Sequence, residues 1–226
     1  MNYFWHMTTE RILSIALILH IAGGTIALVS GLVAMLATKG NRIHRLAGKI
    51  YFSGMTTIFV TALVMAIGRQ LDFLLMVAFF SYYMTVRGYR ILSLKKLNEG
   101  QRFASLDWII ALVAGVFISG LLGWGGWSFL YENNMGLVAL TFGLIGISFL
   151  ISDVRAFFYP PKEKMHWWYG HISSMGGSYI SAVTAFVVVN IRLTNYQWML
   201  WVLPAFIGGA LISQTIRKYE LKFRTR

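Results

Sequence analysis

Cysteine is absent from this 226-residue chain, and with it go disulfides, thiolate metal sites, iron–sulfur clusters and cysteine nucleophiles. Acid is scarce as well. Eight Asp and Glu stand against twenty Lys and Arg, and charged residues of both signs make up only 12% of the chain, about half of the ~25% usual in a soluble domain. Polar stretches long enough to fold as a separate soluble domain are missing, and so are internal repeats and low-complexity tracts. A chain that is 57% hydrophobic needs a solvent other than water for most of its surface. The eight Trp, eleven Tyr and sixteen Phe fit that reading, because amphipathic rings collect at bilayer interfaces.

The formal net charge is +12. On a soluble protein that excess would point to nucleic acid. Here the basic residues lie between hydrophobic stretches, so membrane topology and anionic lipid headgroups account for them, and no nucleic-acid partner is expected. The first residues, Met1 to Arg11, do not read as a cleavable signal peptide, since the apolar run that follows is too long for one.

A helix needs ~20 apolar residues to cross the hydrocarbon core. Seven stretches qualify: 12–38, 46–68, 71–94, 106–124, 135–158, 167–191 and 196–216. The expected fold is therefore an all-α, seven-transmembrane-helix bundle in a single domain. The third stretch is the shortest in apolar terms, being pinned between Asp72 and Arg87, and it crosses only by tilting or snorkelling. Arg69-Gln70 is a tight turn that makes the second and third helices antiparallel neighbours. Gly125-Gly126 and Asn133-Asn134 are read as bracketing a loop, and Pro160-Pro161 stops the fifth helix.

Seven spans sort the loops onto two sides, and seventeen of the twenty Lys and Arg fall on one of them. Only Arg11, Arg69 and Arg192 fall on the other. Since Lys and Arg favour the cytoplasm, the N-terminus is placed outside and the C-terminus in the cytoplasm of a bacterial inner membrane. Trp5 and the other tryptophans near the outer ends then mark one interface.

Ionisable groups inside a membrane are costly, so each is a functional candidate. His6 precedes the first span and reads as solvated. His20 lies about 12 Å below the outer surface by helical rise, with Gly24 and Gly31 following at helical spacing. It is either an interhelical hydrogen-bonding residue or part of a ligand or proton-relay site. His44 opens the second span within Arg42-Ile43-His44-Arg45. His166 and His171 open the sixth span five residues apart, a poor spacing for one metal-binding face. Behind His171 runs a stripe of Ser174, Ser178 and Ser181, either helix–helix glue or the wall of a site. Asp107 opens the fourth span as a helix N-terminal charge within reach of Arg87 or Arg90. Asp153, near the inner end of the fifth, pairs with an inner arginine or ligates a metal beside His171. His44, Asp153, His166 and His171 share one inner region, whereas His20 is alone in the outer half.

These residues carry a resemblance. His20, the run Gly40-Asn41-Arg42-Ile43-His44-Arg45-Leu46-Ala47-Gly48-Lys49-Ile50-Tyr51, the segment 81–94, and Gly176-Gly177-Ser178-Tyr179-Ile180-Ser181 through Asn190 resemble bacterial multi-pass membrane proteins grouped as domain of unknown function 2306. The resemblance implies membrane class and importance for His20 and His44, and it carries no activity. A fainter likeness to seven-helix zinc hydrolases of the ceramidase and adiponectin-receptor type fails at its key point, because paired histidines four residues apart near the last helix are absent.

Three function classes follow. The first is non-enzymatic: a transporter, sensor or accessory subunit in which the serine stripe and His20 line a pathway or meet a membrane-protein partner. The second is a haem b protein with His44 and His171 as ligands and a quinone as natural partner. The third is a zinc-dependent lipid hydrolase drawing ligands from His44, Asp153, His166 and His171.

Overall fold

The computed structural model describes residues Asn2–Arg224, with side chains from Thr9 to Phe223. Trp5 and His6 lie outside the described side chains. Seven long helices make up the described chain: α1 (Asn2–Leu36), α2 (Arg42–Gly68), α3 (Asp72–Arg90), α4 (Ser105–Leu130), α5 (Asn134–Phe158), α6 (His166–Asn190) and α7 (Gln197–Arg224). Two short 3₁₀ turns, Ile91–Ser93 and Leu97–Glu99, follow α3.

Six of these helices are long and apolar enough to cross a membrane, namely all but α3. α3 has 19 residues, begins on Asp72 and carries Arg87 and Arg90 in its last turn, which leaves too few uncharged residues for an apolar span. Large apolar side chains are exposed all along the six, for example Ile18 (67%), Leu112 (70%) and Val189 (75%). So much exposed hydrocarbon suits lipid and not water. The chain is a multi-pass integral membrane protein.

It divides into two compact units, residues 1–82 and 83–226, the boundary falling within α3. In the first, α1 and α2 form an antiparallel hairpin closed by a five-residue connection. The two helices approach closely at a glycine pair: a Cβ added to Gly54 would lie 3.0 Å from the Gly23 carbonyl oxygen and 3.1 Å from Ala27. Small residues at such spacing let two helices meet backbone to backbone. Of the two glycines behind His20, Gly31 is buried, whereas a Cβ on Gly24 would meet nothing within 4 Å. The middle of α3 leans on α2 through Phe59, which stacks on Tyr82 at 4.2 Å and meets Phe79 edge-on at 5.1 Å. The turn between α2 and α3 is tight enough to hold Gln70 at φ +53°.

In the second unit α4 pairs with α5 and α6 with α7, with further contact between α5 and α7. Here an expectation is corrected. Gly125 and Gly126 do not open a loop, and α4 runs through them to Leu130. The reason is packing. A Cβ on Gly125 would fall 2.8 Å from the Leu140 amide nitrogen of α5, and one on Gly136 would fall 2.4 Å from that of Phe129. Gly125 is thus a contact residue inside a helix and not a breaker. α5 does end at Phe158, two residues before Pro160, and Pro204 lies within α7.

Candidate functional site

The C-terminal half of α3 is polar on the side that meets α5 and α6. Tyr83, Thr85 and Arg87 occur within five residues, and each reaches a polar side chain on a neighbouring helix. Tyr83 donates its hydroxyl to Asp153 Oδ2 of α5 at 2.6 Å. Arg87 donates Nε to Asp153 Oδ1 at 2.7 Å and Nη1 to Ser174 Oγ of α6. The Arg87 guanidinium also lies over the Phe149 ring, 5.0 Å from its centre. Two residues earlier on α3, Thr85 Oγ1 lies 2.6 Å from Ser178 Oγ. Ser174, Ser178 and Thr85 are wholly buried. Gly88 lets α6 come this close, since a Cβ there would strike Met175 at 2.8 Å.

A second ion pair stands one helical turn on. Arg90 grips Asp107 with two parallel bonds, Nε to Oδ1 at 2.8 Å and Nη2 to Oδ2 at 3.0 Å. Asp107 also accepts the Ala104 amide at 2.7 Å and so caps the start of α4, where its charge suits the helix dipole. A small pocket of about 40 Å³ lies between the pairs, walled by Arg87, Arg90, Asp107 and Asp153 with Phe103 and Phe157. That is room for a water molecule or two, not for a macrocycle or a lipid headgroup.

The structure brings together Asp153 and Ser174, which meet through Arg87, and it places Ser178 two residues of α3 away. Ser181 takes no part; its hydroxyl turns back to the Gly177 carbonyl at 3.2 Å. His171 donates from Nδ1 to the Gly88 carbonyl at 2.8 Å, tying α6 to α3. His166 lies 2.8 Å from the carbonyls of both Glu163 and Leu94, one at each ring nitrogen. Carbonyls only accept, so both bonds form together only when each nitrogen carries a proton, and a ring so held offers no lone pair to a metal.

The other two histidines belong to the first unit. His20 Nδ1 lies 3.0 Å from Thr61 Oγ1. Thr61 spends its own hydroxyl proton on the Thr57 carbonyl at 2.7 Å, so the histidine is the donor. His44 reaches the Ala34 carbonyl at 2.8 Å, one of the unpaired acceptors at the end of α1. Its amide is capped by Asn41 Oδ1 at 2.7 Å. Lys39 Nζ serves the same helix end through Ala34 and Met35, and burial pushes its pKa below the usual lysine value. Each of the four histidines therefore bonds to another segment of its own unit. No three His, Asp or Glu side chains are grouped so as to hold a metal ion among the described residues.

Tyr83 and Thr85 were not singled out from the sequence. The signal was present in Ser81-Tyr82-Tyr83-Met84-Thr85, four hydroxyl-bearing residues in five, beside two arginines in the one long helix that lacks a spanning apolar stretch among the described residues. No known family, curated protein or solved structure matches the chain. The likeness to domain of unknown function 2306 thus rests on the residues quoted for it alone.

Proposed function

We propose that this chain is a non-enzymatic protein of the bacterial cytoplasmic membrane, a transporter, sensor or accessory subunit, with seven spans, an external N-terminus and a cytoplasmic C-terminus. α3 is the seventh span in this reading. Its two arginines cross in neutralised form, each with an aspartate partner, which removes most of the penalty that makes the helix look too polar. The single observation that carries the functional reading is the Arg87–Asp153 pair with its Tyr83 and Ser174 partners. A charge-paired, hydroxyl-lined contact among three helices is the kind of element that membrane proteins keep for ions or for coupling helix movements.

The test is a spectrum and an elemental analysis of purified protein, air-oxidised and dithionite-reduced, together with solid-supported-membrane recordings of wild type and Asp153→Asn. The reading expects no Soret band and no stoichiometric metal, and a charge movement that the substitution abolishes or shifts. One haem iron per chain, or one zinc with lipid hydrolysis, would overturn it in favour of the redox or hydrolase class.

A further inference from the structure

The first unit holds a groove that the Arg87–Asp153 network does not use. It has a volume of about 400 Å³ and runs along the α1–α2 contact, floored by Ala22 and Gly23 of α1 and by Ser53, Gly54 and Thr57 of α2, with Lys49 at one end. The glycine pair that draws the helices together leaves nothing larger than threonine on that floor, and branched apolar side chains form its walls.

Lys49 is the unusual member. It is exposed, and it makes no ion pair or hydrogen bond with the described residues. Of the neighbouring cations, Lys39 caps the end of α1, and Arg45 donates to the Gly40 carbonyl at 2.9 Å. The only acids in this unit are Glu10 and Asp72, which stand at the opposite ends of α1 and α2 from the loop that joins them. From Gly68, the last residue of α2, back to Lys49 is about 29 Å at the helical rise, close to the ~30 Å hydrocarbon thickness of a bilayer. The ammonium therefore stands where lipid phosphates begin. From Lys49 to Thr57 the groove extends about 12 Å along the helix, most of the ~15 Å depth of one leaflet.

We infer that the groove binds one acyl chain of an anionic phospholipid, with the lipid phosphate paired to Lys49. An anion at this depth must bring its own apolar body, and a phospholipid does so. A zwitterionic lipid fills the same groove but sets its own cation near Lys49. A second copy of the chain fits worse, since a docking helix would have to offer a free acid at that level, and two of the helical acids, Asp107 and Asp153, are already paired to arginine.

Native mass spectrometry of detergent-released protein tests this, with matched-chain phosphatidylglycerol and phosphatidylcholine as the probes. Wild type should retain one phosphatidylglycerol about fivefold more tightly than phosphatidylcholine, the effect of one lysine on one anionic headgroup. Lys49→Gln should remove that preference and still retain lipid. Ser53→Leu, which fills the groove, should release both lipids, with Ala22→Val as the second such variant if the first does not fold. Lys96→Gln, in the basic loop of the other unit, should leave the preference intact. Equal retention of the two lipids by wild type, a preference that survives Lys49→Gln, lipid retained unchanged in both groove-filling variants, or a lipid-free dimer would each overturn the proposal.

Discussion

Removing the Asp153 carboxylate strands two donors at once. In Asp153→Ala the Arg87 guanidinium keeps its Ser174 and Phe149 contacts and loses its counter-ion, and the Tyr83 hydroxyl loses its acceptor. Breaking a buried ion pair from one side costs about 3–5 kcal/mol. The side chains here are 11% and 21% exposed, which favours the lower end, about 3 kcal/mol. For a chain of this length that is a fall in Tm of roughly 6–12 °C. Arg87→Met should cost a similar amount, because it leaves the aspartate charge unpaired. The double variant Arg87→Met with Asp153→Leu behaves differently. Replacing both charges by apolar groups of similar volume is near neutral, and what remains is the unpaired Tyr83 hydroxyl, about 1–3 kcal/mol, since the Ser174 hydroxyl can turn back to a carbonyl of its own helix. The double variant should therefore melt above Asp153→Ala alone. The assay is intrinsic tryptophan fluorescence during thermal unfolding in mild detergent. A double variant as unstable as the sum of the two singles would refute the argument, for it would mean that the two side chains contribute independently.

Three further predictions rest on other parts of the structure. Gly125→Ala should lower Tm by about 3–10 °C through overpacking against α5, whereas Gly126→Ala, where a Cβ meets nothing, should leave it unchanged or slightly raised; equal effects at the two sites would contradict the packing described. Asn41→Ala should cost about 1 kcal/mol as the loss of the α2 cap, measured by the same melt. Because the chain has no native cysteine, single cysteines at Thr38, Arg69, Glu99, Tyr131, Lys162 and Thr194 can be labelled with an impermeant maleimide on a clean background. The seven-span reading requires them to alternate in accessibility, and Arg69 and Glu99 reacting from the same side would show that α3 does not cross.

What the sequence disclosed here was the position of the apolar runs. The six long helices follow from runs of ~20 apolar residues that no soluble core requires, and the Pro160-Pro161 stop was read correctly because proline acts locally. What it concealed was rotation. α4 is apolar all round, so nothing along it distinguishes Gly125 as a residue that α5 must touch from Gly126, which faces open space. Charge was more informative than shape: Arg87 and Asp153, and Arg90 and Asp107, were each candidates for pairing because an ionised group at membrane depth needs a partner. Tyr83 and Thr85 were hidden because hydroxyl-bearing residues are tolerated on lipid-facing surfaces as well as buried ones, and only the neighbouring helices decide which applies.

The order of the partners along the chain has a consequence for biosynthesis. Arg90 meets its aspartate 17 residues later, but Arg87 must wait for one 66 residues downstream. At about 5–20 residues per second, the ribosome takes roughly 3–13 s to supply Asp153 after Arg87 has been made. For that interval α3 holds an unmatched cation with no carboxylate to neutralise it. On the proposed seven-span reading, the helix must linger at the translocon or at the bilayer surface until α5 emerges, so its entry into the membrane is tied to the arrival of a helix made well after it.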